Sequence, residues 1–213
     1  MMVMDASRPE AGRSGGRRPG SQQRAGRQPV IGPAPGRLEQ VRAFVNTLDV
    51  EAGTDELSSP AALAAWLTAR GLIGSVADAA TRDDLRLAVA AREALREILL
   101  AHARQEDASG PAVTDLRSVG SGLAARFEIG EDGTVRSVPD GQGPAAGLGA
   151  LLLIAAEAAV LGTWPRLKVC SADDCRWAFY DRSPTKSGCW CSMAGCGSRA
   201  KSRAFRQRAA ARR

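Results

Sequence analysis

The chain has 213 residues, a formal net charge of +6 and five cysteines, a length that suits one or two domains with a real core. Its longest apolar run, Leu148–Leu161, is broken by Glu157 and falls short of the ~20 residues of a membrane helix, so no membrane span is expected. The N-terminal arginines have no apolar stretch after them, which argues against a secretory signal and points the cysteines toward metal in a reducing cytosol.

Charge is unevenly distributed. Residues 1–36 sum to +4, residues 37–165 to −7, and residues 166–213 to +9. An acidic body between two cationic ends suits a protein that gathers polyanions, the alternative being charge that serves solubility alone.

Residues 1–36, rich in Gly, Pro, Ser, Gln and Arg, read as a disordered basic tail. Order is expected from Arg37, with Leu38, Val41, Phe44, Val45 and Leu48 on one helical stripe. Glu51 to Ser59 reads as a loop. Ser59 before Pro60 suits an N-cap, and the helix to Arg70 buries Leu63, Trp66 and Leu67 before Gly71.

Thr81 opens the longest helix, to about Arg104, with Asp83 and Asp84 in its first turn. Arg86, Glu93, Glu97 and Arg104 form its solvated stripe. Arg92 and Arg96 fall between apolar neighbours and read as snorkelling at the core edge; the alternative is a buried cationic pair facing Asp49 or an anionic ligand. His102, the single histidine, reads as an edge residue and not as a catalyst. Residues 105–122 read as a linker with room for a short helix. Ala125–Ile129 and Thr134–Val138 flank an Asp-Gly turn and read as a hairpin. Gly141 to Gly147 reads as a loop before an apolar helix, Leu148–Gly162.

All five cysteines lie between Cys170 and Cys196. Cys170-x4-Cys175 and Cys191-x4-Cys196 offer two short loops of two thiolates each, which is the ligand set of one tetrahedral zinc. Four protein ligands leave no open position, so the metal is structural and an enzyme is not expected. Cys189 breaks the matched spacing and reads as a bystander, with a competing ligand or an oxidant-sensing thiol as alternatives. Five of the nine aromatic rings of the chain (Trp177, Phe179, Tyr180, Trp190 and Phe205) fall in this region and read as a small core around the metal, with base stacking as the alternative. After Cys196 a helix is expected, with Arg199, Ser202, Arg203 and Arg206 on one face.

These residues resemble a known family. The stretch C-x4-C-x-W-x-F-x-D-x-S…W-C-S-M-x-x-C-G-x-R-x-K is similar to the CGNR zinc finger, and Phe44-Val45-Asn46-Thr47-Leu48-Asp49 with Leu63–Leu67 resembles the ABATE domain that precedes it in bacterial proteins taken to be stress-induced transcription regulators. The resemblance covers residues 37–208. It implies that Cys170, Cys175, Cys191 and Cys196 bind zinc and that the finger binds DNA. Ser198 replaces the family's Asn, Thr185 stands where Asn is usual, and Gly188 and Cys189 stand where basic residues are usual.

The expectation is a mainly α, α+β chain: a basic tail (1–36), an ABATE-like helical domain with a small hairpin (37–165), and a four-cysteine zinc finger with a basic terminal helix (166–213). The expected function is transcription regulation in the cytoplasm, at the nucleoid if DNA is bound. Arg199, Lys201, Arg203 and Arg206 would contact DNA, and the helical domain would sense a ligand or partner, with a homodimer open. Alternatives are a protein-interaction module or an RNA-binding protein with a structural zinc.

Overall fold

The computed structural model describes residues 31–74 and 80–210. The tail up to position 30, expected to be disordered, lies outside the described residues. Order begins before Arg37: β1 (Ile31–Gly32) is paired, and Ala34 is buried with its N–H on Glu39 (2.7 Å).

Helix α1 (Leu38–Val45) buries Leu38, Val41, Phe44 and Val45. It stops short of Leu48, contrary to the periodicity. Thr47 Oγ1 donates to Phe44 O (2.8 Å), and Asn46 directs its side chain to a distant strand; such local polar bonds compete with the helix. The expected loop from Glu51 to Ser59 is turns except for one short strand, β3 (Thr54–Asp55), which pairs back on β2 (Leu48–Asp49).

Helix α2 (Pro60–Ala69) starts as its sequence dictates, Ser59 Oγ accepting Ala62 N–H (3.1 Å), and ends with Gly71 at φ +63. Helix α3 (Arg82–Arg104) begins in a capping box between Thr81 and Asp84 and ends at left-handed Gln105. The expected linker holds a full helix, α4 (Gly110–Ser121), capped by Ser109 and packed along α3. Hairpin β4 (Ala125–Ile129) and β5 (Val135–Pro139) turns through Gly133 at φ +79.

Helix α5 (Gly143–Val160) begins well before Leu148. The glycine-rich stretch taken for a loop is a close approach to α2: a Cβ at Gly147 would lie 3.0 Å from Ile73 and 3.1 Å from Leu67. By length and composition α5 could cross a membrane, but 61% of it is buried inside the protein, as in a core helix.

A short turn (Trp164–Arg166) leads into β6 (Leu167–Val169), and β7 (Ala178–Asp181) follows. With β1 they form an antiparallel sheet in the order β1-β7-β6. Strand alternation sorts its side chains. Leu167, Val169, Ala178 and Tyr180 join the helical core, while Phe179 joins the cysteines. The finger's strands are therefore part of the helical domain's core. Beyond them a π-turn (Met193–Gly197) leads into α6 (Ser198–Ala210), which buries no residue.

Candidate metal centre and basic helix

Cys170 follows β6, and a tight turn brings back Cys175, whose N–H bonds Ala172 O (3.0 Å). Arg176, at φ 54, completes the reversal. The second pair is shaped by Ser192, whose Oγ accepts Gly195 N–H (3.1 Å) and whose O accepts Gly197 N–H (2.9 Å). Ser171 N–H to Cys189 O (2.9 Å) joins the two loops.

The four sulfurs of Cys170, Cys175, Cys191 and Cys196 lie within 4.8 Å of one another, with Cys175–Cys191 at 3.5 Å and Cys191–Cys196 at 3.7 Å. A Zn–S bond of about 2.3 Å gives a tetrahedral sulfur edge of about 3.8 Å. The donor set fits one structural zinc, and Cys170, Cys175 and Cys196 are buried. Phe179 and Ala172 pack beneath, with Trp177 and Trp190 beside; three of the five rings therefore form a metal core, while Tyr180 packs into the helical core and Phe205 is exposed.

Thiols this crowded cannot all ionise without a cation. A hydrogen bond from Cys191 draws Cys170 down to about 5, while burial pushes Cys175 up to about 12. The hydrogen bond to Cys170, then burial, raises Cys191. One zinc held by these four sulfurs would supply the missing positive charge and cross-link the two loops. Cys189 is half-buried and outside the four-sulfur cluster.

Arg199 touches one of the four ligand sulfurs. Its Nη2 donates to Cys196 Sγ (3.1 Å) and its Nη1 to Glu51 Oε1 (3.0 Å). Arg203 approaches Asp174 (3.7 Å). Lys201 and Arg206 are exposed and form no ion pair among the described residues. Arg199, Ser202, Arg203 and Arg206 share one wall of an open groove of about 400 Å³.

Arg92 and Arg96 do not snorkel. They are 2% and 3% exposed. Arg92 makes a fork to Asp55 (2.7 and 2.9 Å) and lies on Thr47 Oγ1. Arg96 donates to Val45 O (2.6 Å), Leu48 O (3.3 Å) and Arg176 O (2.8 Å), which caps α1 and ties it to the first cysteine loop. Asp49 does not face them: its Oδ1 accepts Ala52 N–H (2.9 Å), and it lines a small cavity with Glu51, Cys175, Trp177 and Cys191. The carboxylate opposite Arg92 is one strand further on, which periodicity could not resolve.

Three further residues have roles that the sequence reading did not assign, although Asn46 and Asp181 stand within the stretches that carry the family resemblance. Asn46 donates to Ala178 O (3.0 Å) and accepts from Ala178 N–H (2.7 Å), pairing like an extra strand. Lys168 and Asp181 are buried together at 3.1 Å. Lys168 also donates to Lys186 O and Gly188 O, and Asp181 accepts the N–H groups of Ser183 and Gly188. This pair organises the loop before the second cysteines. A Cβ at Gly188 would meet the Asp181 carboxylate at 3.0 Å, while Thr185 bonds Ser187 and Ser198 Oγ donates to Met193 O (3.1 Å). His102, its pKa lowered by burial, bonds Leu167 O (2.9 Å) and lies edge-on to Trp164, holding β6 against α3.

Fold and site together define a helical protein carrying a closed four-cysteine zinc knuckle with a cationic helix behind it. Family models agree: the CGNR zinc finger matches residues 166–209, and ABATE, described as "Putative stress-induced transcription regulator", matches residues 40–165. The chain belongs to the ABATE family and carries its CGNR zinc finger. No curated protein matches the chain.

Proposed function

We propose that this is a transcription regulator that binds DNA through α6, with the helical domain sensing a ligand or partner. The observation that carries the reading is α6 itself. It bears Arg199, Lys201, Arg203, Arg206 and Arg208 without an acidic residue, buries nothing, and is fixed at its start by the metal turn. A cationic helix standing clear of a rigid body suits a groove or a run of phosphates. Arg199 is better placed as a positioning residue, since its guanidinium is held by Glu51 and Cys196. Lys201 and Arg206 would make the phosphate contacts, and Arg203 would join them by leaving Asp174.

The test separates these roles. K201E/R206E should abolish retention of duplex DNA and lower the salt slope by about two with zinc content unchanged. R199A should lose zinc affinity about tenfold by chelator competition, as outer-shell partners of metal ligands do. Unchanged DNA affinity in K201E/R206E would sink the DNA reading. A second reading, a protein-interaction module, is favoured by Phe205 and Met193, 68% and 53% exposed on and beside the same helix. Salt-independent capture of a partner without DNA retention supports it, and competition by single-stranded RNA would identify an RNA-binding protein.

A further inference from the structure

Hairpin β4–β5 stands away from the body. Its near end rests on α5, where a Cβ at Gly149 would lie 3.3 Å from Pro139 Cβ. Its far end leaves Phe127, Ile129 and Val135 76%, 75% and 64% exposed. The register places Phe127 opposite Ser137, Ile129 opposite Val135 and Ala125 opposite Pro139, so one face is apolar. Arg126, Glu128 and Arg136 occupy the other face, where both arginines approach Glu128.

The edges of the hairpin differ. Asp140 N–H bonds Ala124 O and Gly130 N–H bonds Thr134 O. Alternation along the ladder then directs the backbone groups of Arg126 and Glu128 to β5 and turns those of Ala125, Phe127 and Ile129 outward. Among the described residues β4 pairs with β5 alone. The outer edge of β5 is a poorer template, because Pro139 has no N–H to offer.

We infer that the outer edge of β4 is a self-association surface whose occupant is β4 of a second copy, paired antiparallel about Phe127. In that register Phe127 faces its own copy and Ala125 faces Ile129, so every outward N–H and C=O finds a partner. The same register sets Arg126 opposite Glu128 of the second copy, twice over. A shift of the twofold axis by one residue places Arg126 on Arg126 or Glu128 on Glu128, and like charges directly opposite are unfavourable. A shift by two leaves both charges without a cross-dyad partner. Charge complementarity and backbone pairing therefore select one register. The axis is perpendicular to the sheet, so the two apolar faces lie side by side and form one surface. Such an uncovered edge and face would otherwise invite aggregation. The inference stands whether or not α6 binds DNA.

The test is sedimentation of the full zinc-loaded chain at micromolar concentration, with zinc content and circular dichroism confirming that each variant is folded. Wild type should be a dimer. R126E and E128R each place two like-charge pairs across the axis and should each self-associate about tenfold more weakly. Mixed in equal amounts, the two variants should form heterodimers with wild-type affinity, because only the mixed pairing restores opposite charges. A monomeric wild type overturns the inference, as does undiminished dimerisation of the two single variants or a mixture that yields no heterodimer.

Discussion

Lys168 has three ammonium protons and three acceptors, Asp181 Oδ2, Lys186 O and Gly188 O, at a site where it is 1% exposed and Asp181 0%. Burial alone would raise the Asp181 carboxyl. Hydrogen bonds from Ser183, Gly188 and Lys168 outweigh it, and the pKa lies below its ordinary 3.8. A depressed carboxylate adds stability that is present above pH 3.8 and is lost as pH falls through the folded value. D181N leaves the Lys168 ammonium buried without its counter-ion, which costs about 3–5 kcal/mol at neutral pH. The gap between D181N and wild type should close as pH falls below about 4. Urea unfolding at pH 7 and at acid pH checks both parts; a gap that persists in acid would show that the pair contributes nothing through charge. Nothing in the sequence announced this pair. Its members sit on different short strands, and no local pattern says that two charged residues among apolar neighbours face each other. Asp55 escaped for the same reason, because choosing it over Asp49 as the partner of Arg92 requires the β2–β3 register. The cysteines were legible because metal ligands repeat at a spacing set by the metal itself.

At the scale of elements, local chemistry was readable and contact chemistry was not. Ser59 caps α2 and Thr81 opens α3 where expected, because such start signals involve residues about three apart. The start of α5 was missed because its glycines look like a loop until α2 is placed against them. That contact supports a test. A Cβ at Gly147 would lie 3.0–3.2 Å from Ile73 and from Leu67, which is fully buried and cannot move aside. G147V should destabilise the protein by about 2 kcal/mol or more through overpacking, against about 0.5 kcal/mol for A156V on the exposed side of the same helix. Equal melting curves for the two variants would show that α2 and α5 are not closely packed at this point. Strand β1 was hidden differently: two residues inside a Gly- and Pro-rich segment carry no period, and only the open edge of β7 makes them a strand.

For the whole molecule the question is whether the zinc knuckle is an appendage or part of the fold. By composition the acidic helical segment and the basic finger divide where the charge changes sign. The core does not follow that division. Leu167, Val169, Ala178 and Tyr180 pack with residues of α1, α3 and α5, while Phe179 between them packs with the metal ligands. Ala178 bonds Asn46 through both backbone groups, and its O also accepts from Arg42 Nη1. Arg96 joins α3 to the carbonyl of Arg176, next to Cys175, and Arg199 joins the second cysteine loop to Glu51. Four thiols without their cation should release the two loops, and the strands that end in those loops lose their anchor. The loss should therefore reach α1 and α3. Chelation under reducing conditions should lower the melting temperature by at least about 10 °C while leaving one transition. Hydrogen exchange should then quicken in α1 and the C-terminal half of α3 together with β6 and β7. If those helices keep their protection while the strands exchange freely, the finger unfolds independently and its strands only rest on the body. If all lose protection together, zinc occupancy controls the stability of the domain proposed to sense the signal, and metal loss would act on regulation through the body as well as through α6.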